Sequence, residues 1–182
     1  MASSLGEGQT RPPSPRDSKF YHDDWIDRNK NGKMDPYEDP SQPISKRVED
    51  LLTRMTLEEK LAQLGSGSAI PQCGIGSLTC VLRSDPPKEG ATKANGFQTQ
   101  AVEQTRLGIP PIIHDECLHG CVAKFSTSFP QAIALAATWD EDLVYRVARA
   151  IARETAARGI RQCLSPVVDI ARDVRAGRTE ET

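Results

Sequence analysis

The chain has 182 residues, with 23 Lys and Arg against 25 Asp and Glu and a formal net charge of −2. That length allows one domain with a real core, and the near-balanced charge excludes the basic field expected of a nucleic-acid partner. The longest apolar stretches fall far short of a membrane span, so no membrane partner is expected either.

The chain opens with MASSLGEGQTRPPSPRDSK, rich in Ser, Pro and Gly. Such a segment cannot bury enough apolar surface to order itself, which predicts a disordered tail over residues 1–19. It holds no apolar run of the signal-peptide kind. The default expectation is a cytoplasmic protein, with secretion or a periplasmic location as the alternative.

Next comes DRNKNGKMDPYE, residues 27–38. Asp27, Asn29, Asn31, Gly32, Asp35 and Glu38 have the spacing of a twelve-residue calcium loop. Such a loop needs a helix on each side, and Pro36 and Pro40 interrupt the second, while Arg28, Lys30 and Lys33 repel a cation. The residues read better as a turn bonded by its own side chains. Calcium at Asp27, Asn29, Asn31, Asp35 and Glu38 stays as the alternative, and no other cofactor is expected.

After Pro40 and Pro43, Val48, Leu51, Leu52 and Met55 fall at i, i+3, i+4 and i+7, one helical stripe. Thr56 and Glu59 form a capping-box pattern that starts a second helix, LEEKLAQL, which Gly65, Gly67 and Pro71 end. Residues 20–72 thus make a leader with a calcium-loop-like turn and two helices. CGIGSLTCVL then reads as a buried strand. ATKANGFQTQAVEQTR reads as a surface helix with Phe97, Ala101 and Val102 on one side. PPIIHDECLHG is a second apolar run whose polar residues collect at its C-terminal end.

WDEDLVYRVARAIARETAARG is the clearest helix. Asp140 or Thr138 can cap it, Leu143, Val147 and Ile151 line one face with Val144, Ala148 and Ala152 beside them, and Gly159 stops it. CLSPVVDI is a third strand candidate, followed by the charged ARDVRAGRTEET. Three strands alternating with helices imply parallel strands joined by crossovers. In a β/α barrel the active groups stand where strands end, and here HDECLHG and DIARD carry charge at those places. The five cysteines, Cys73, Cys80, Cys117, Cys121 and Cys163, form no CxxC pair, so neither a disulfide framework nor a zinc site is expected, and they read as buried free thiols.

Several ordered blocks carry a resemblance: NGKMDPYEDPSQPISKRVEDLLTRMTLEEKLAQL, RLGIPPIIHDECLHG, TSFPQAIALAATWDEDLVYRVARAIARETAARGI and LSPVVDIARDVRAGRTEET. Together they resemble the N-terminal part of glycoside hydrolase family 3, over about residues 20–182. The resemblance implies an α/β fold, an incomplete (β/α)8 TIM-type barrel of about three β/α units, with residues 73–182 as the truncated first part of the barrel domain. It also implies an exo-acting retaining β-glycosidase, of the β-glucosidase or β-xylosidase kind, acting on a β-linked saccharide.

Retaining hydrolysis uses one carboxylate as nucleophile and a second as acid/base, about 5 Å apart. By the resemblance both lie in blocks that these residues do not contain, so no catalytic residue is assigned here and the chain alone is expected to be inactive. Two substrate-binding positions carry over: Glu116, in ECLHG, and Arg178, closing RDVRAGR. A carboxylate accepts hydrogen bonds from sugar hydroxyls, and a guanidinium donates them in a fixed fork. His119 is expected to bond backbone, His114 and Asp115 to be strand-end residues, and Asp169, Arg172 and Asp173 to fix their loop as ion partners.

The family block usually reads Arg-Asp-Pro-Arg-Trp-Gly-Arg. Val174 here replaces the proline and Ala176 the tryptophan, which puts the placing of Arg178 in question. Two other functions stand beside the enzyme: a noncatalytic carbohydrate-binding remnant, and a calcium-stabilised interaction module. Three strands of an eight-stranded barrel would also leave an exposed edge open to self-association.

Overall fold

The computed structural model describes residues 19–181, so the predicted tail, Lys19 apart, lies outside the described residues. The chain resolves into two units, one up to Met55 and one from Thr56 on.

In the first unit the chain doubles back, with the Asp27 amide donating to the Phe20 carbonyl at 2.8 Å and a His22–Trp25 ring stack at 4.0 Å. The 27–38 turn follows, then helix α1 (Ile44–Arg54). Pro43 precedes it with φ −54, a value that suits helix entry. Arg54, in its last turn, bonds Asp50 at 2.8 Å and Asp35 at 2.9 Å, tying the helix to the turn. The predicted stripe is present, but no residue of α1 is buried, and Val48 and Leu52 stay exposed. Periodicity marks a face as apolar; it does not supply what covers it.

The second unit is α/β, with a parallel sheet. Helix α2 (Leu57–Ala62) starts on the predicted capping box, Thr56 accepting from the Glu59 amide while the Glu59 carboxylate accepts from the Thr56 amide. Strands β1 (Ser66–Gly67), β2 (Ser77–Thr79), β3 (Ile112–Asp115) and β4 (Gln162–Cys163) pair in parallel in the order β1-β2-β3-β4. The register sets Leu78 beside Ile113 and Asp115 beside Cys163. Helix α3 (Pro87–Gln104) runs between β2 and β3, and α4 (Ala132–Ala136) and α5 (Glu141–Ala157) lie between β3 and β4.

Four strands form where the sequence predicts three. The extra one, β1, is Ser-Gly and carries none of the β-branched or aromatic residues that mark a strand. Two predicted strands are shorter than expected. CGIGSLTCVL keeps only Ser77–Thr79, because Gly74 and Cys80 turn left-handed, φ 79 and 59, on either side. CLSPVVDI keeps only Cys163, since the chain leaves the sheet before Pro166, a residue with no amide hydrogen to donate. Helix α3 begins earlier than predicted, at Pro87, where a missing N–H costs nothing.

The core lies between the sheet and its helices: Ile75, Leu78, Leu82, Ala94, Ile113, Cys117, Cys121, Ile151 and Ile160. Helix α5 takes Asp140 as its cap, through a 2.9 Å bond from the Leu143 amide. Of its predicted apolar face only Ile151 is buried; Leu143 and Val147 are half-buried, and Val144, Ala148 and Ala152 are exposed. Gly159 stops the helix with φ 92, and a Cβ there would come within 2.4 Å of the Ala94 Cβ. The glycine therefore serves both the reversal and the close approach to α3.

Candidate functional site

Strand β3 delivers the polar cluster HDECLHG to the C-terminal end of the sheet. Its last residue, Asp115, is only 1% exposed. The Arg83 guanidinium reaches Asp115 Oδ1 through Nη2 at 2.6 Å and Nε at 2.8 Å. That bond holds the Arg83 guanidinium above its ordinary pKa. The same carboxylate oxygen accepts the Glu116 amide at 2.8 Å. Glu116 is half-buried, and among the described residues none donates a hydrogen bond to its carboxylate.

From Glu116 the chain closes on itself, the Val122 amide donating to the Glu116 carbonyl at 3.0 Å and the Phe129 amide to the His119 carbonyl at 2.7 Å. Gly120 permits this: its φ is 126, and a Cβ there would stand 2.2 Å from the Thr127 carbonyl oxygen. Farther along, the Lys124 amide donates to the Arg83 carbonyl at 2.8 Å. Arg158, fully buried, donates to the Lys124 carbonyl at 2.6 Å and to the Asp85 carbonyl at 3.2 Å. The loop after β3 is thus pinned at its start and at Lys124.

The segment after β4 supplies the opposite wall. It leads to a short 3-10 helix, Thr179–Glu181, with Arg178 just ahead of it. The Arg178 Nε donates to Glu181 Oε1 at 2.7 Å, and Nη2 donates to the other carboxylate oxygen. This fork raises the arginine's pKa and lowers that of Glu181. Glu116 and Arg178 line one cavity of about 340 Å³, together with His119, Gln131, Val167 and Glu181. The charge of Glu116 also favours protonated Arg178. The cavity can offer a neutral polyol both a hydrogen-bond acceptor and a forked donor.

The other predicted residues distribute as follows. The His119 carbonyl accepts the Phe129 amide, but among the described residues its imidazole makes no hydrogen bond to backbone; the residue lines the cavity instead. His114 sits on β3 with Nε2 3.5 Å from Ser66 Oγ. Asp115 is the strand-end residue expected. Asp173 is an ion partner, but of Arg175, whose guanidinium holds its carboxyl down to about 2. Among the described residues Asp169 and Arg172 make no ion pair: both stand exposed in a loop where water solvates charge well enough alone. Val174 is exposed, yet Arg178 still reaches the cavity.

All five cysteines are free, but only Cys117 and Cys121 are buried; Cys73 and Cys163 are half-buried and Cys80 is exposed. The hydrogen bond to Cys121, with burial, pushes the Cys117 thiol up. In the 27–38 turn the candidate ligand oxygens take bonds from the turn itself. Asp27 accepts the Asn31 and Gly32 amides, Glu38 accepts those of Arg28, Asn29 and Asp35, and Asp35 accepts both asparagine side chains. Among the described residues no group of three or more His, Cys, Asp or Glu is arranged to hold a metal ion.

Arg83, Arg158 and Glu181 were not singled out from the sequence. Arg83 and Asp115 are distant in the chain, and only the β2–β3 pairing brings them together. Glu181, three residues after Arg178, was the one legible case, as an i, i+3 pair.

Residues 56–182 match the family described as glycosyl hydrolase family 3 N terminal domain. The chain belongs to that family. It is 36% identical over 187 residues to a periplasmic beta-glucosidase/beta-xylosidase of Dickeya chrysanthemi, covering 86% of this chain and 28% of the relative. It is 33% identical over 147 residues to a beta-xylosidase of Formosa agariphila, covering 78% of this chain and 16% of the relative. A solved beta-glucosidase involved in saponin metabolism, from intestinal bacteria, superposes with a TM-score of 0.55 at 38% identity, over 75% of this chain and 18% of that one. This family 3 chain therefore spans less than a third of the length of these relatives. No helix among the described residues is long and apolar enough to cross a membrane.

Proposed function

We propose that the chain is the first part of the catalytic barrel of an exo-acting retaining β-glycosidase, of the β-glucosidase or β-xylosidase kind, in which Glu116 and Arg178 grip the terminal sugar of a β-linked saccharide. The observation that carries the reading is the shared cavity. Two polar side chains far apart in sequence, on segments that follow β3 and β4, line one hollow beyond the C-terminal ends of parallel strands. Active groups gather there in β/α barrels.

The strand order supports a barrel as the parent architecture. Strands that follow one another around a barrel keep their sequence order, as β1-β2-β3-β4 do, whereas a doubly wound sheet reverses direction at a switch point. The sugar-binding role needs only an acceptor and a fork of donors, so it does not require the nucleophile or the acid/base among these residues. Arg178 gives Nε and one Nη2 hydrogen to Glu181, which aims the guanidinium and leaves the Nη1 hydrogens and the second Nη2 hydrogen for sugar hydroxyls.

Isothermal titration of the chain with glucose and with xylose tests the reading. Heat of binding at millimolar sugar, weakened about tenfold in Glu116→Gln, is expected for the loss of a hydrogen bond to a charged acceptor. Absence of heat with both sugars overturns it.

A further inference from the structure

We infer that Arg83 is a positioning residue for Glu116, clamping Asp115 so that the carboxylate oxygen shared with the Glu116 amide fixes how Glu116 faces the cavity. The inference rests on the reading of Glu116 as a sugar-binding carboxylate.

Two donors and an ion-pair contact meet at one atom. Arg83 Nε and the Glu116 amide donate to Asp115 Oδ1 at 2.8 Å each, and Arg83 Nη2 stands 2.6 Å from the same oxygen. Asp115 is 1% exposed, and among the described residues Arg83 is the cation paired with it; a buried carboxylate without a partner is costly. The bond to the next residue's amide closes a small ring that restricts the backbone between Asp115 and Glu116, so the direction in which Glu116 leaves the strand is set by where Asp115 is held. Among the described residues nothing hydrogen-bonds the Glu116 carboxylate, while its amide is held by Asp115, so the backbone sets its aim.

Arg83 holds the loop a second time. Its carbonyl accepts the Lys124 amide at 2.8 Å, and the Lys124 carbonyl takes the bond from buried Arg158. One residue on the loop after β2 thus grips the segment after β3 at its root and near its tip. A plain ion pair that only stabilised the fold would need neither the shared oxygen nor the second grip. A displacement of about 1 Å in a substrate-positioning group is enough to cost up to about a hundredfold in function.

The test separates positioning from stability. Glucose affinity is measured by titration calorimetry for the chain and for Arg83→Met, Glu116→Gln and the double variant, with exchange of the Glu116 amide followed by NMR. Arg83→Met is expected to weaken glucose about tenfold and to do nothing further in the Glu116→Gln background, because both act through one group. The Glu116 amide is expected to exchange about tenfold faster in Arg83→Met, while amides of β2 are unchanged.

If Arg83→Met does not fold, Arg83→Lys keeps the charge and one donor, and is expected to fold with a smaller loss in both readings. Equal weakening in both backgrounds, or an unchanged Glu116 exchange rate, overturns the inference and leaves the sugar reading intact. Full glucose affinity in Glu116→Gln overturns the sugar reading and this inference with it.

Discussion

Strands β2 and β3 and the stretches just before α5 and after β4 carry comparable apolar residues, yet they meet opposite surroundings. Leu78 and Ile113, at the sheet centre, are 0% and 1% exposed. Trp139, Val168, Ile170 and Val174 are between 73% and 98% exposed. The sequence gives no hint of this contrast, since VVDI is as apolar as PPII. What differs is company: β2 and β3 each have a paired strand on both sides and α3 against them, while β4 pairs with β3 alone among the described residues. Apolar composition says what a residue tolerates around it, and its neighbours decide whether it is covered.

The comparison breaks most sharply at the sheet centre. Ile113→Ala removes buried side-chain volume next to Leu78, and a loss of about 2 to 5 kcal/mol is expected in urea unfolding. A loss below about 1 kcal/mol would mean that the centre is no better packed than the exposed segment.

A smaller effect tests the electrostatics around α2. Arg106 hydrogen-bonds the buried Glu59 carboxylate and holds its pKa below the ordinary 4.5. A depressed carboxylate stabilises the fold above its unfolded value, and that contribution disappears as pH falls through the folded value. Urea midpoints are therefore expected to fall as pH drops below about 4.5, and the gap between the chain and Arg106→Met is expected to narrow over the same window. A gap that stays constant with pH would show that Glu59 contributes no linked proton.

The smallest effect belongs to the exposed side. Val144→Ser on α5 is expected to change stability by no more than about 0.5 kcal/mol. Sedimentation velocity is expected to show less self-association for this variant than for the parent, because an exposed apolar patch promotes contact between copies. An unchanged sedimentation profile would remove α5 from any self-contact surface.

Much of the local fold was legible from local chemistry. Thr56 and Glu59 specify a capping box by spacing alone, Asp140 caps α5 through its own next turn, and Gly159 ends it, because each interaction spans only a few residues. The polar groups at the end of IIHDE also stood out, as charge following an apolar run. Strand β1 did not, because two residues without bulky side chains carry no strand signal. The pairing expected of Asp169 and Arg172 failed because exposed charges need no partner. Arg83 was invisible because nothing within several residues of it indicates a carboxylate more than a sheet strand away.

The amino-acid order by itself determined α1, α2, most of α3 and α5, the caps of α2 and α5, the alternation that makes the sheet parallel, and the presence of an acid and an arginine at the ends of apolar runs, but not α4. Those features follow from contacts within a turn or two, where chain connectivity keeps the partners close. Only the tertiary structure decided that Glu116 and Arg178 border one hollow, that Arg83 and Asp115 meet behind it, and which apolar faces are covered. Each of these depends on strand pairing between distant segments, and the free energy of such pairing belongs to the folded whole rather than to any stretch of sequence.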